Sequence, residues 1–147
     1  MNGVELFQLG RVLMRIGESA LPEPPGGTDR LPGGTRTVLI VATDIAAHPG
    51  TTAAETVART GVPQSQVSTA VARLKEAGSI RASADPADGR RTLLHPADEP
   101  SARVAAVRAT GVEHALAAAL GGDDPTRLGE VTDALAVLAR HLTPPRP

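Results

Sequence analysis

The succession of glycine and proline residues between positions 52 and 95 limits the folds open to this chain more than any other feature. Two short stretches with helical spacing each end at a glycine, and they cover residues 52–60 and 63–77. The turn-forming segment 85–89, Asp-Pro-Ala-Asp-Gly, then separates two short strand candidates, 79–84 and 90–95. This order predicts a helix-turn-helix followed by a β-hairpin wing.

The second helix of this pattern has one apolar side and one small, polar side. The apolar stripe that we expect to be buried consists of Val67, Ala70, Val71 and Leu74. The outward side chains are candidates for contact with base edges and phosphates in a major groove, and they include Ser65, Gln66, Ser68, Thr69 and Arg73. The alternative is an ordinary solvated surface, on which lysine and glutamate would be more common.

Two arginines, Arg90 and Arg91, directly follow the turn of the hairpin. At least one of them must project from the wing, where it would reach a minor groove or its phosphates. Asp88 lies close enough in sequence to hold an arginine by a charge-assisted hydrogen bond. The alternative is a surface ion pair of little consequence, worth roughly 0 to 1 kcal/mol.

Charge is distributed unevenly along the chain, although the net charge is only −1. The segment 59–91 holds six basic and three acidic residues, so the rest of the chain is acidic. This contrast favours attraction of DNA to one face of the protein. It is also modest, which leaves open a winged helix that serves as a protein-interaction or dimerisation module without specific DNA binding.

The flanking segments predict a mainly helical (α+β) protein with a single domain over residues 1–147. A helix over 35–47 completes the winged helix-turn-helix region 35–97, and the Pro/Gly-rich segment 21–34 is an exposed connection. Leucine-lined helices occupy 4–20 and 98–143, the latter as one helix over 101–120 and a final helix. Asp98 is the predicted cap of the first of these, Asp123 or Asp124 that of the second, and 143–147 is a frayed tail.

The core that this composition allows is thin and aliphatic, because the chain has one Phe and no Trp or Tyr. Thin helical layers often complete their burial by oligomerisation, so we expect a homodimer. The leucine seams of the terminal helices would pack either on the chain's own core or across the dimer. The sequence shows no membrane span and no signal peptide, and the expected location is the cytoplasm.

Here the residues resemble a known family. The run from Ala54 to Arg91 is similar to the MarR family of bacterial transcriptional regulators, and the order of helices extends the resemblance over most of 4–142. Its most specific part is the Asp-x-Arg pattern at Asp88 and Arg90, preceded by Gly-Ser-Ile-Arg at 78–81. The chain departs from the family pattern at the pair Thr56-Val57, at Thr69, at Pro96-Ala97 and in the length of the 21–34 connection.

The resemblance implies a homodimer with one winged helix in each subunit and with the terminal helices as the dimerisation region. The helix that begins at Gln64 would lie in the major groove, Arg90 would enter the minor groove, and Asp88 would orient the wing. Such regulators are mostly repressors that bind a pseudo-palindromic operator, and many are released by a small organic ligand.

Other activities find little support in the sequence. The absence of cysteine excludes a thiol-based sensor, and the four histidines lie in separate segments without metal-ligand spacing: His48, His95, His114 and His141. No catalytic constellation joins them, so we expect no enzyme, no cofactor and no metal. A small organic effector is the remaining option for signal input, and no pocket residue can be nominated for it.

Overall fold

The computed structural model describes residues 1–22, 34–122 and 124–142. In chain order its elements are α1 (Gly3–Ala20), α2 (Thr35–Ala47), α3 (Ala53–Thr60), α4 (Gln64–Glu76), β1 (Ile80–Ala84), β2 (Thr92–Pro96), α5 (Ala102–Ala109), α6 (Glu113–Leu120) and α7 (Pro125–Leu142). This confirms the predicted mainly helical fold with a winged helix. Residues 23–33 of the predicted 21–34 connection, the alternative cap Asp123 and the predicted tail 143–147 lie outside the described residues.

The described chain forms two compact units. One contains α1, α6 and α7, and the other contains α2 to α5 with the hairpin. The boundary between them falls at residue 110, so the predicted segment 98–143 contributes to both units. No helix in the described part of the chain is long and apolar enough to cross a membrane.

The helices of the winged unit begin and end close to where the sequence predicts. At the start of α3, the Glu55 N–H donates to the Thr52 hydroxyl at 3.2 Å and the Thr52 N–H donates to the Glu55 carboxylate at 2.9 Å. This reciprocal capping box satisfies two backbone donors that a helix start otherwise leaves free. Gly61 ends α3 with a φ of 70°, a backbone conformation that favours glycine. Pro63 then precedes α4 without losing a helical hydrogen bond.

The core of the winged unit lies between α2, α4 and the hairpin. Three of the four residues of the predicted α4 stripe are buried, and Val71 is partly buried beside them. They pack with residues of α2 and of both strands, and the buried cluster consists of Val41, Ile45, Val67, Ala70, Leu74, Ile80 and Leu94. Because this packing fixes one side of α4, the opposite side faces outward.

The wing is a two-stranded antiparallel sheet in which Ile80 pairs with Pro96 and Ala84 pairs with Thr92. The second strand begins two residues later than predicted, so both arginines lie in the connecting loop. The reason is hydrogen bonding: the Asp85 N–H donates to the Arg91 carbonyl at 2.9 Å and closes the loop there.

An isolated β-bridge between Thr51 and Leu94, which no local pattern predicts, extends the pairing of the sheet. Leu94 donates its N–H to the Thr51 carbonyl at 2.7 Å and accepts the Gly50 N–H at 2.8 Å. The hairpin is therefore fastened to the turn between α2 and α3. Since Thr51 directly precedes the capping box, the base of the wing and the start of α3 share one anchor.

The predicted cap at Asp98 is wrong, because Ser101 begins α5 instead. The Ser101 hydroxyl accepts the Val104 N–H at 3.3 Å and donates to the Ala77 carbonyl at 2.7 Å, which ties the start of α5 to the end of α4. A carboxylate has no proton to donate and cannot perform the second task. Asp98 pairs with Arg81 at 3.2 Å on the surface.

The single helix predicted over 101–120 is also wrong, since the chain breaks between Ala109 and Glu113. Gly111 lies in the break, and glycine costs a helix interior about 1 kcal/mol relative to alanine. The Glu113 carboxylate occupies the space that a side chain at position 111 would need. The apolar spacing continues across this break, which is why periodicity alone predicts one helix.

The unit formed by α1, α6 and α7 buries Leu116 and Ala117 and leaves most apolar side chains of its long helices exposed. Of the two predicted α7 caps, Asp124 accepts the Thr126 N–H at 3.0 Å. No residue of α1 or α7 is fully buried in the described chain. Their exposed apolar side chains are Val4, Leu6, Phe7, Leu9, Val12, Met14, Val137, Leu138 and Leu142.

Candidate nucleic-acid interface

The outward face of α4 carries the side chains that the sequence nominates for a DNA groove. Gln64, Ser65 and Ser68 are exposed, and Gln66, Thr69 and Arg73 are half-buried along the same helix. These groups offer amide, hydroxyl and guanidinium hydrogen bonds on a surface with little bulk, a combination that suits base edges in a major groove. None of them belongs to the buried stripe, so contact with a ligand would leave the core undisturbed.

One of these side chains, Thr69, already forms a hydrogen bond within α4. The Thr69 hydroxyl donates to the Ser65 carbonyl at 3.0 Å. Its proton is used there, so toward an outside partner it offers lone pairs only. Thr69 is therefore an acceptor on a face whose other side chains can also donate.

The tip of the wing presents Arg90. Its backbone N–H donates to the Asp88 carboxylate at 3.1 Å, and its exposed guanidinium has no hydrogen bond or ion pair with the described residues. The expectation that the Asp88 carboxylate holds an arginine side chain is thus corrected, since it holds the backbone. A short side chain two residues before a backbone N–H readily forms such a turn.

Arg91 points in a different direction from its neighbour. Its guanidinium donates to the Glu55 carboxylate at 3.1 Å and lies 3.5 Å from the Asp85 carboxylate. Glu55 belongs to α3, thirty-six residues earlier in the chain. This arginine therefore joins the wing to the first helix of the motif.

A second ion pair lies one turn further along the same face of α3. Arg59 binds the Asp44 carboxylate through two hydrogen bonds of 2.8 and 2.7 Å, and it also donates to the Thr51 hydroxyl. Thr51 in turn donates to Glu55 at 3.1 Å. A continuous series of polar contacts thus runs from α2 to the wing, and we call it the wing-anchor network. Its members are Asp44, Arg59, Thr51, Glu55 and Arg91.

The charged groups of this network stabilise one another. Hydrogen bonds from Arg59 hold the pKa of Asp44 below its usual range, although burial of the carboxyl opposes this effect. The same contact raises the pKa of Arg59. The pKa of Glu55 is lowered first by the Thr52 backbone N–H and then by the Thr51 hydroxyl. Both carboxylates are therefore charged at neutral pH.

Replacing Asp44 with asparagine should reduce the free energy of unfolding at pH 7 by about 1 to 2 kcal/mol, because its charged hydrogen bonds lie on a carboxylate that is only 8% exposed. This range is below that for a fully buried pair, because the Arg59 side chain is more exposed to solvent, which screens the interaction. The folded pKa of Asp44 lies below the unfolded one, so this stabilisation is complete above the unfolded pKa, near 3.8, and is lost as the pH falls through the folded pKa. Urea unfolding at pH 7 and pH 3 should show the two proteins converging in acid. Asp98→Asn is the control and should change little; an Asp44→Asn loss that is equal at both pH values would contradict the assignment.

Thr56 lies beside the same carboxylate and is completely buried. Its hydroxyl has no hydrogen-bond partner of normal geometry among the described residues, yet it contributes to lowering the pKa of Asp44. The departure from the family pattern at this position therefore places a polar atom, not a Leu side chain, between α2 and α3.

Sequence reasoning identified Glu55 only as a helix cap and missed Asp44 and Arg59 as parts of a site. Local spacing carries no signal for contacts between residues so far apart in the chain. Within the described residues, no group of three or more metal-ligating side chains comes together.

Comparison with known proteins decides the family of the winged unit. Residues 35–91 match the model of the MarR family. The winged helix of this chain matches that of the MarR family. The matched segment spans α2, the helix-turn-helix and the wing as far as Arg91. MarR-family proteins are transcriptional regulators with a DNA-binding winged helix.

Solved structures of other proteins share the fold over nearly the whole chain. The PcaV regulator of Streptomyces coelicolor, solved with its natural ligand, is 22% identical with a TM-score of 0.51, and the match covers 93% of this chain and 92% of PcaV. A MarR-family regulator of Rhodococcus sp. RHA1 is 22% identical with a TM-score of 0.51, and the match covers 93% of this chain and 91% of that chain. BpsR of Bordetella bronchiseptica is 21% identical with a TM-score of 0.50, and the match covers 90% of this chain and 91% of BpsR. No curated protein matches the chain in sequence.

Proposed function

We propose that this protein is a transcriptional repressor that binds a pseudo-palindromic operator in the bacterial cytoplasm as a homodimer. One observation carries the proposal: an outward helix face of small hydrogen-bonding side chains lies in the same compact unit as a hairpin whose tip arginine is unpaired among the described residues. In a winged helix these are the parts that reach a major groove and the flanking minor groove.

The face of α4 would supply the base contacts. Gln66 is suited to pair with adenine and Arg73 with guanine, each good bidentate contact giving about 1 to 3 kcal/mol of discrimination. Hydroxyl groups would take base edges or phosphates. The residues that we propose for the major groove are Gln64, Ser65, Gln66, Ser68, Thr69 and Arg73.

Dimerisation would bring two such faces to one side of a duplex. The helices α1 and α7 expose apolar side chains along much of their length, including Phe7 at 67% and Leu142 at 75%. Large exposed apolar faces on helices commonly mark subunit interfaces. We therefore assign residues 4–20 and the α6–α7 part of 98–143 to the dimer, with half-sites about 34 to 36 Å apart.

Signal input is proposed by analogy with two structural relatives. PcaV was solved with its natural ligand, and DNA binding by BpsR is regulated by 6-hydroxynicotinic acid. We propose that a small organic molecule releases this protein from its operator, and we assign no residue to that ligand. Neither catalysis nor a metal or cofactor enters the proposal.

Selection of bound duplexes from a random pool, followed by titration with the recovered sequence, tests the proposal most directly. We expect an inverted repeat with half-sites one helical turn apart, bound by two chains, with affinity that falls steeply as salt increases. Recovery of no sequence, together with no binding at low salt, would contradict DNA recognition and favour the winged helix as a protein-interaction module. An asymmetric single site bound by one chain would contradict the dimer.

A further inference from the structure

We infer that Arg91 is a positioning residue, which fastens the wing to α3 through Glu55 and so aims Arg90 at DNA without contacting DNA itself. The inference rests on the proposed function, because aiming has meaning only for a wing that binds. It starts from the different environments of two neighbouring arginines. Arg91 is clamped between two carboxylates, whereas the guanidinium of Arg90 contacts none of the described residues.

The acceptor on α3 is fixed before Arg91 reaches it. One oxygen of Glu55 accepts the Thr52 N–H at 2.9 Å and the Thr51 hydroxyl at 3.1 Å, as part of the capping box. The other oxygen accepts Arg91 at 3.1 Å. A carboxylate that two donors already hold loses little further freedom when a guanidinium binds, so the pair orders the wing efficiently.

The wing end of the contact is fixed as well. The Arg91 carbonyl accepts the Asp85 N–H at 2.9 Å, while its guanidinium lies 3.5 Å from the Asp85 carboxylate. Backbone and side chain of Arg91 therefore both bind at the neck of the loop. The loop that projects beyond this neck contains Arg90, so a change in the neck must change where Arg90 points.

The position of Glu55 also argues against a direct role of Arg91 on DNA. A guanidinium that is paired with two carboxylates presents little net positive charge to a phosphate. An arginine that bound phosphate would have to leave both partners. Exposed pairs of this kind are weak, so breaking one changes a binding constant by at most about fivefold. The expected loss on breaking the anchor is thus about three- to fivefold.

Operator titrations over a range of salt concentrations test the inference with Arg91→Gln, Glu55→Gln and the double variant. Glutamine at position 55 keeps an oxygen for the capping box and removes the charge. If Arg91 positions the wing, each single variant loses about three- to fivefold in affinity, the double variant loses no more than either, and the slope against salt is unchanged.

The opposite pattern would overturn the inference. An arginine that contacts phosphate would lower the salt slope by about one unit when replaced. Glu55→Gln would then leave affinity unchanged or increase it, because the variant frees Arg91 for DNA. Arg81→Gln is the matched control: Arg81 belongs to the same hairpin and pairs with the exposed Asp98 away from α3. Its affinity should remain within twofold of the original at moderate salt, by the weakness of exposed pairs.

A measurement without DNA separates failure of the anchor from failure of the proposed function. The amide hydrogens of Asp85 and Arg90 should exchange with solvent about three- to fivefold faster in Arg91→Gln and in Glu55→Gln, and no faster in Arg81→Gln. Unchanged exchange in both variants would overturn the inference. Faster exchange in a protein that binds no duplex would retain the anchor and reject DNA recognition.

Discussion

An Arg90→Ala variant should bind its operator roughly 10- to 100-fold more weakly than the original chain, because a charged hydrogen-bonding group is worth about 1.5 to 3 kcal/mol. The guanidinium of Arg90 has no hydrogen bond or ion pair with the described residues, so its removal should leave the fold intact. The slope of affinity against salt should fall by about one unit for a lost phosphate contact. Fluorescence titration at several salt concentrations measures both quantities.

The control for Arg90→Ala is a second exposed arginine of the same hairpin. Arg81→Ala removes the same charge from β1, and we expect a much smaller loss. Thermal unfolding of both variants should match the original chain. Equal losses for the two variants on operator and on random DNA would show that only the overall charge matters, and the proposed role of Arg90 at the wing tip would be wrong.

Replacing Ile45 with alanine should lower the free energy of unfolding of the winged unit by about 2 to 5 kcal/mol, the range for large-to-small changes in closely packed cores. The Ile45 side chain is 0% exposed and packs in the cluster between α2, α4 and the hairpin. A loss of this size is a large share of the stability of a small unit. Urea unfolding followed by circular dichroism measures it.

The matched control is Ile40→Ala, on the same helix and with the same side chain removed. Ile40 is 39% exposed, so we expect a loss of less than about 1 kcal/mol from reduced burial. Similar losses for both variants would contradict the location of the core. A further consequence of Ile45→Ala is weaker operator binding, since α4 would lose part of the surface that holds it against α2.

The parts of the fold that repeat a local pattern could be predicted from the sequence. The bounds of α2 agree with the prediction, because apolar spacing and the His48-Pro49-Gly50 stop are both local. The capping box at Thr52 and Glu55 is likewise written in neighbouring residues. Periodicity does not predict the break at Gly111, because apolar residues continue in register on both sides of it.

Contacts between distant residues could not be predicted in the same way. The bridge between Thr51 and Leu94 involves a single residue on each side, so it produces no repeating pattern in the amino-acid sequence. The sequence predicts Arg91 as a DNA contact together with Arg90, because two adjacent arginines cannot be told apart by local pattern. Only the folded chain shows that one is bound to Glu55 and the other is open to solvent.

The Glu55 carboxylate caps α3 and also binds the wing, and this double contact limits which substitutions the protein can accept at position 55. Aspartate, one methylene shorter, would withdraw from the arginine; glutamine would preserve the helix start and give up the charge. Drift at this position therefore cannot alter the helix without also altering the hairpin. Descendants of this chain are expected to change residues 55 and 91 together or not at all.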